Sequence, residues 1–166
     1  MTLGMNPDET PKFIADINVG KLARWLRIMG YDTLIFKGQD DADMLTVAIA
    51  ENRVILTRDS GIMKRKSVAR GQIKAILIKS DNVHEQFGQV LETLKPFFPP
   101  RLFMLCVECN EPLMEKRKEE VRKRVPPYVY ETQNEYMQCP ACGRIYWKGT
   151  HWQAMTERIN ELKKNN

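Results

Sequence analysis

The chain has 166 residues, of which 43% are hydrophobic, and its formal net charge is +5 with a pI near 9.0. This hydrophobic content suffices for a core, but no apolar run approaches the roughly 18 residues that a membrane-spanning helix needs. The N-terminus shows no positively charged segment followed by an apolar one, so we expect no signal peptide, a cytoplasmic location and no membrane partner. The positive charge favours an anionic partner without identifying it.

Over the first hundred residues, short apolar runs alternate with amphipathic stretches. We predict strands at 12–16, 31–36, 53–57 and 73–78. Helices are predicted at 19–29 after a cap at Asn18, at about 41–52, and at 82–95, where Asn82 and Glu85 fit a capping box. This repeated order of strand and helix is typical of an α/β fold, in which helices cover both faces of a mainly parallel sheet.

The segment Pro96-Phe97-Phe98-Pro99-Pro100 interrupts this pattern. Proline donates no backbone hydrogen bond and disfavours a helical conformation in the residue before it. We therefore predict a domain boundary here, with one domain at 12–98 and another at 101–166. In the second domain we predict short strands at 102–105, 128–130, 136–138 and 144–147, and a terminal helix that begins at the capping box Thr150-x-x-Gln153.

Two Cys-x-x-Cys pairs, Cys106 with Cys109 and Cys139 with Cys142, are separated by 29 residues. Each pair lets one tight turn present two thiolates, and two such turns complete a tetrahedral four-sulfur site for zinc. Gly143 suits the positive φ that often follows the second ligand. Because sulfur fills all four positions, we expect this zinc to be structural. The alternative is four free cysteines or a redox pair.

The insertion between the cysteine pairs, at 111–127, is rich in charge of mixed sign. Mixed charge on a short helix most often marks a solvated face. Beside several aromatic residues, it is alternatively a surface that stacks bases and holds phosphates. The aromatics also have a rival role, since a small zinc module needs large side chains to form a core. These aromatic residues are Tyr128, Tyr130, Tyr146, Trp147 and Trp152.

Aspartates follow two of the predicted strands of the first domain. Asp16 ends the first strand, and Asp59 follows the buried run at 54–57. Because ligands collect at the carboxyl ends of parallel strands, we expect both carboxylates at one rim. Asp41 and Asp43, at the start of a helix, complete an acidic set that suits magnesium or manganese. The alternative is that these aspartates only cap helices, and Asp40 is the clearest candidate for a cap.

Several cations accompany the acidic residues along the sequence. A metal ion held by the acids would activate a bound water, and the cations would hold the phosphates of a substrate. The candidate substrate-binding residues are Lys21, Arg24, Arg58, Lys64, Arg65 and Lys66. These residues by themselves describe a phosphodiester-cleaving site and do not separate RNA from DNA.

Three motifs of the first domain carry a family resemblance. They are Asp16-x-x-x-Gly20-Lys21-Leu22-Ala23-Arg24-Trp25-Leu26-Arg27-x-x-Gly30, the pair Asp41 and Asp43, and Leu56-Thr57-Arg58-Asp59. In this order they resemble the PIN-like ribonuclease domain related to the C-terminal part of mut-seven. The second domain is similar to the zinc ribbon fused to it, through Arg124-Val-Pro-Pro127, Tyr130-Glu131, Cys-x-x-Cys-Gly and Tyr146-Trp147-x-Gly149-x-His151-Trp152.

The resemblance covers roughly residues 12–155 and implies a three-layer α/β/α nuclease fold, a divalent cation held by acids, and RNA as substrate. By motif position, Asp16, Asp41, Asp43 and Asp59 match the acidic residues of the family. Position 43 is often glutamate in such domains, and the shorter Asp43 reaches less far.

The sequence therefore predicts a magnesium- or manganese-dependent ribonuclease that hydrolyses RNA phosphodiester bonds, with a structural zinc ribbon that assists RNA binding. One rival is a non-catalytic RNA-binding adaptor on a ribosome or another ribonucleoprotein, whose binding would ignore added magnesium or manganese. A second rival is a toxin-like nuclease held in check by a partner, which predicts growth arrest on expression.

Overall fold

The computed structural model describes residues 10–94 and 101–164. Contacts divide the chain into two compact units, Met1–Leu102 and Phe103–Asn166. The predicted boundary at 96–100 lies outside the described residues, so the domain limits 12–98 and 101–166 remain a prediction. No helix within the described ranges is both long and apolar enough to cross a membrane.

The first unit contains a four-stranded parallel sheet. Its elements are β1 (Lys12–Ala15), a 3-10 helix (Ile17–Val19), α1 (Gly20–Ile28), β2 (Thr33–Ile35), α2 (Asp41–Ala50), β3 (Arg53–Thr57), α3 (Ser60–Met63), α4 (Lys66–Ala69), β4 (Ala75–Leu77) and α5 (Val83–Leu94). The strand order is β2-β1-β3-β4, so the chain leaves β1 toward one edge and then crosses to the other. Because such crossovers are right-handed, α1 and α2 lie on opposite faces.

Side chains that alternate along the strands build a core on each face of this sheet. Ile14 of β1 and Ile55 of β3 pack with Met44 of α2. Neighbouring strand residues project to the opposite face, where α1 and α5 contact each other and the ring centroids of Trp25 and Phe87 are 5.3 Å apart. All of β3 is buried, as expected of a strand covered on both sides. The predicted α/β fold with helices on both faces is confirmed.

The ends of several elements in the first unit differ from the sequence prediction. Asn18 does not cap α1, because a 3-10 helix intervenes and the Asn18 amide donates to Asp16 Oδ2 instead, at 3.4 Å. Asn82 does cap α5, since its Oδ1 accepts from the N–H of His84 at 2.8 Å. Glu85 does not complete the capping box, because its carboxylate accepts a hydrogen bond from the Ser80 hydroxyl. The predicted last residue of this helix, Lys95, lies outside the described residues.

The second unit contains a three-stranded antiparallel sheet of order β5-β6-β7. Its elements are β5 (Met114–Lys116), α6 (Lys118–Val121), α7 (Pro127–Thr132), β6 (Tyr136–Gln138), β7 (Ile145–Trp147) and α8 (Thr150–Lys164). The insertion at 111–127 therefore supplies a strand and a helix to the fold. A core of Val121, Val125, Val129 and Tyr136 packs this unit.

Two strand predictions in the second unit are confirmed and two are wrong. The runs at 136–138 and 144–147 form β6 and β7. Residues 128–130 lie in α7 instead, because Pro127 presets the first helical turn and Val129 of this helix packs in the core with Val125. In the run 102–105, Leu105 forms only an isolated bridge to Pro112.

Candidate active site and metal centre

The carboxyl edge of the parallel sheet carries Asp16 and Asp59 on adjacent strands. Asp16 directly follows β1, and its backbone N–H donates to the carbonyl of Leu56 at 2.9 Å. Its half-buried carboxylate accepts hydrogen bonds at Oδ2 from Thr57 Oγ1 at 3.3 Å and from Asn18 at 3.4 Å. Asp16 makes no side-chain cap to the 3-10 helix behind it. The helix-cap alternative therefore does not account for Asp16.

Asp59, in contrast, is a helix cap. Its Oδ1 accepts a hydrogen bond from the N–H of Gly61 at 2.6 Å, at the start of α3. The side chain is exposed, and the described cap bond uses Oδ1. A cap and a metal ligand are compatible roles, since a carboxylate offers two oxygens. The two aspartates thus have different local functions although their sequence settings look alike.

Thr57 connects the two aspartates, and it is a candidate site residue to which the sequence interpretation assigned no role. The side chain of this last β3 residue is fully buried. Its hydroxyl accepts from the backbone N–H of Asp59 at 3.0 Å and donates to Asp16 Oδ2 at 3.3 Å. The available signal was a polar residue at the end of an otherwise apolar buried strand. Thr57 therefore orients the Asp16 carboxylate from the neighbouring strand.

The remaining acids lie at the start of α2. Asp40 is the N-cap of α2, because its Oδ1 accepts a hydrogen bond from the N–H of Ala42 at 2.8 Å. The sequence indicates this residue as the clearest candidate for a cap. Asp41 and Asp43 occupy the first helical turn. The Asp41 carboxylate lies 3.5 Å from the guanidinium of Arg65, and Asp43 is exposed. Within the described residues, the four predicted acids do not converge as tightly as the cysteines, whose ligand atoms all lie within 4.8 Å of one another.

The predicted substrate-binding cations divide into two groups. Arg58 forms an ion pair with Asp81, and Arg65 forms one with Asp41. Lys21 and Arg24 are exposed on α1, Lys64 is exposed between α3 and α4, and Lys66 is exposed at the start of α4. Carboxylates of the protein therefore engage Arg58 and Arg65, which must change partners to hold a phosphate.

The cysteine pairs form two matching turns in the second unit. In the first, the N–H of Asn110 donates to the carbonyl of Cys106, and in the second the N–H of Gly143 donates to the carbonyl of Cys139, both at 2.9 Å. The residue after each pair has a positive φ, 66° at Asn110 and 72° at Gly143. The prediction for Gly143 is confirmed, and Asn110 takes the equivalent position in the other turn.

The sulfur positions fit a tetrahedral ion. The Sγ atoms of Cys106 and Cys142 are 3.8 Å apart, and the ligand atoms of all four cysteines lie within 4.8 Å of one another. A tetrahedron with zinc–sulfur bonds of about 2.3 Å has edges of about 3.8 Å. No disulfide joins these cysteines. The four residues are therefore positioned to bind a metal, as the sequence predicts for structural zinc.

Hydrogen-bond donors point at the sulfur of Cys106, one of two fully buried cysteines of the set. Cys106 is fully buried, and burial alone raises the pKa of its thiol. Donors that include the Tyr146 hydroxyl at 3.0 Å and the N–H of Cys109 at 3.4 Å outweigh burial, and the pKa falls from 9.0 to about 7. The second turn repeats the backbone contact, from the N–H of Cys142 to Cys139 Sγ at 3.5 Å. These donors favour the thiolate form that a metal requires.

Comparison with protein families gives a match over almost the whole chain. The family model of the Mut7-C RNAse domain matches residues 11–159, which include both the parallel sheet and the four cysteines. The chain belongs to the Mut7-C RNase family. The resemblance inferred from sequence motifs is therefore confirmed. Searches of curated proteins and of solved structures each returned no match.

Membership in the Mut7-C family indicates a ribonuclease-type function with RNA as the substrate class. The family match covers both groups of residues described above. In this Mut7-C chain, the acids lie at the sheet edge and the thiolates form a separate centre within the second unit. The chemistry of the two ligand sets differs, because carboxylates suit hard cations such as magnesium and thiolates suit zinc.

Proposed function

We propose that this protein is a divalent-metal-dependent ribonuclease that hydrolyses RNA phosphodiester bonds at the carboxyl edge of its parallel sheet. The observation that carries the proposal is the setting of Asp16. Its carboxylate caps no helix, is half-buried, and is held by Thr57 from the adjacent strand. A carboxylate oriented in this way at a ligand-collecting edge is expected of a functional site in a chain of a ribonuclease family.

The proposed metal ligands are Asp16, Asp41, Asp43 and Asp59. A bound magnesium or manganese ion would supply an activated water and stabilise charge on the scissile phosphate. Thr57 fixes the direction of the Asp16 carboxylate, and the cap bond from Gly61 fixes that of Asp59. Arg65 neutralises Asp41 in the absence of the ion. Loading of the metal would release this guanidinium to a substrate phosphate.

The exposed cations near this edge would hold the RNA backbone. Lys21 and Arg24 on α1, together with Arg58, Lys64, Arg65 and Lys66, are the proposed substrate-binding residues. Contacts between such cations and phosphates supply affinity that is independent of sequence and sensitive to salt. We therefore propose that the sheet edge recognises the RNA backbone more than its bases.

The zinc ribbon is proposed to assist RNA binding through its insertion. Tyr128 on α7 is 67% exposed, which leaves an aromatic face available to a base. Tyr130 nearby on the same helix already has Lys118 Nζ 5.0 Å and Arg122 Cζ 5.9 Å from its ring centroid. The exposed ring of Tyr128 and the two cations at Tyr130 are the features of this segment that would bind single-stranded RNA. The alternative is that this surface is only a solvated face. Weaker RNA binding by Tyr128→Ala than by the wild type would support contact with bases, and unchanged RNA binding would support the solvated face. A cytoplasmic location and a ribosomal or ribonucleoprotein partner also remain predictions.

Asp→Asn variants test the proposed site. Purified wild type, Asp16→Asn and Asp59→Asn are incubated with single-stranded and structured RNAs, without added metal and with magnesium or manganese. Asparagine caps helices about as well as aspartate but is a poorer ligand, so both variants should keep their melting temperature and lose cleavage. Asp40→Asn is the matched control, because Asp40 has the same cap geometry and no proposed catalytic role.

The same experiment separates the proposal from its rivals. Wild-type cleavage in both Asp16→Asn and Asp59→Asn would contradict the proposed site. RNA binding that ignores added metal, without cleavage by the wild type, would favour the adaptor.

A further inference from the structure

Tyr146 belongs to a motif of the second unit that the proposed ribonuclease reaction does not use. It lies in the middle of β7, and its hydroxyl oxygen is 3.0 Å from the Sγ atom of Cys106. Cys106 is 0% exposed and Tyr146 is half-buried. This contact is partly buried, so it contributes more than an equivalent contact on the surface.

The position of the Tyr146 ring is set by aromatic packing. Phe103 meets it edge-on, with ring centroids 6.3 Å apart and an interplanar angle of 83°. Phe103 also packs edge-on against Trp152 of the same motif, at 6.2 Å and 89°. Edge-to-face contacts of this kind are favourable beyond simple burial. The hydroxyl is thus held at the cysteine by contacts that do not themselves involve sulfur.

The chemistry of a four-thiolate centre assigns the direction of this hydrogen bond. Zinc binds deprotonated sulfur, so with the metal present the phenol O–H is the donor and the sulfur accepts. Four thiolates around one Zn²⁺ leave a net charge of about −2 on the centre. Donors directed at the sulfurs offset this charge, and the N–H groups of Cys109 and Cys142 do so in the two turns.

We propose that Tyr146 is a positioning residue of the zinc centre, which donates its hydroxyl hydrogen to the Cys106 thiolate and thereby strengthens retention of the metal. The proposal rests on the four-cysteine site and is independent of the ribonuclease reaction. It also gives a function to the tyrosine of the Tyr146-Trp147-x-Gly149 motif, where phenylalanine would serve equally well if packing were the only requirement.

The test compares Tyr146→Phe with two matched controls in the full chain. Tyr130→Phe removes a hydroxyl from a ring that contacts Lys118 and Arg122, and Ile145→Val trims the core beside Tyr146 while keeping its hydroxyl. Zinc affinity is measured by competition with a chromophoric chelator. Loss of an outer hydrogen bond typically weakens metal binding 10- to 100-fold, and we expect this range for Tyr146→Phe and wild-type affinity for both controls.

Cobalt substitution supplies a readout that packing alone would not change. A hydrogen bond lowers the energy of the sulfur lone pairs, so its loss should move the sulfur-to-cobalt charge-transfer band of Tyr146→Phe to longer wavelength. Both controls should keep the wild-type band. Unchanged zinc affinity and an unchanged band in Tyr146→Phe would overturn the proposal, as would an equal shift in Ile145→Val. Complete failure of Tyr146→Phe to take up cobalt would also overturn it, because one outer hydrogen bond adjusts affinity and does not decide folding.

Discussion

Replacement of Thr57 by valine removes one hydroxyl from the predicted active site and keeps the shape of the side chain. The buried hydroxyl accepts from the N–H of Asp59 at 3.0 Å and donates to Asp16 Oδ2 at 3.3 Å. Valine is nearly isosteric with threonine, so the packing of β3 should persist. The variant therefore isolates the two hydrogen bonds that connect β3 to both aspartates.

The expected loss of stability follows from the group that is left without a partner. The N–H of Asp59 loses its acceptor, which costs about 1–3 kcal/mol for a buried donor. Because the Asp59 side chain is exposed and water approaches this edge, we expect the lower part of that range, about 1 kcal/mol. The Asp16 carboxylate is only half-buried and can be rehydrated. For a unit of about 100 residues, this corresponds to a fall in melting temperature of about 4–8 °C.

The rate of RNA cleavage by Thr57→Val should fall by more than the loss of folded protein explains. The Asp16 carboxylate can rotate once Thr57 no longer holds it, and a loss of about 1.4 kcal/mol in transition-state stabilisation lowers the rate tenfold. We expect at least this decrease in manganese-dependent RNA cleavage by Thr57→Val at a temperature where the variant is folded. Thr57→Ser keeps the hydroxyl and should retain most activity. A wild-type melting temperature and wild-type cleavage in Thr57→Val would refute the reasoning. If Thr57→Ser lost as much stability and activity as Thr57→Val, the losses would come from altered packing and not from the missing hydroxyl.

Three further predictions concern stability and metal content. Arg53→Met should lower the free energy of unfolding in urea by about 1.5–3 kcal/mol, because the Arg53 side chain is only 6% exposed and its guanidinium donates to both Asp32 oxygens, at 2.7 and 3.1 Å. Tyr31→Phe should leave stability at pH 7 unchanged or raise it by about 1 kcal/mol, because the buried hydroxyl has no described partner. Cys142→Ser should remove zinc, measured by elemental analysis, and unfold the second unit, because such small modules depend on their metal.

Tyr31 also predicts a dependence on alkaline pH. Burial raises the pKa of its phenol from 10.0 to about 12. The folded state therefore disfavours tyrosinate, and this contribution to stability is complete below pH 10 and is lost as pH rises toward 12. Thermal melts of the wild type should show this loss, and the loss should be smaller in Tyr31→Phe, in which burial still raises the phenol pKa values of Tyr136 and Tyr146.

Each of these predictions has a clear contrary result. A change below about 0.5 kcal/mol in Arg53→Met would show that solvent replaces the ion pairs, since Asp32 is 34% exposed. A clearly destabilised Tyr31→Phe would mean that its hydroxyl has a partner. Full zinc content in Cys142→Ser would contradict the four-sulfur site, and loss of the parallel sheet in that variant would contradict independent folding of the first unit.

Local patterns predicted the four strands and the three longest helices of the first unit because their determinants are close in sequence. The apolar run of β3 marks a strand covered on both faces, and the Cys-x-x-Cys spacing marks a metal-binding turn. Gly30 and Gly143 have positive φ values of 85° and 72° where a helix end and a turn require them. Local signals were less reliable at 128–130, where β-favouring side chains form a helix because the preceding prolines and the valine core select it.

The sequence by itself determined the main strands and helices of the first unit, the four cysteines positioned to bind a metal, and the ribonuclease family. Only the tertiary structure decided that Asp59 caps a helix whereas Asp16 does not, that Thr57 holds Asp16 across 41 positions of chain, and that Arg65 faces Asp41. Short-range preferences fix φ and ψ within a few residues, so they specify turns and strands. A contact between side chains on different strands depends on strand order and register, which arise only when the apolar faces pack together.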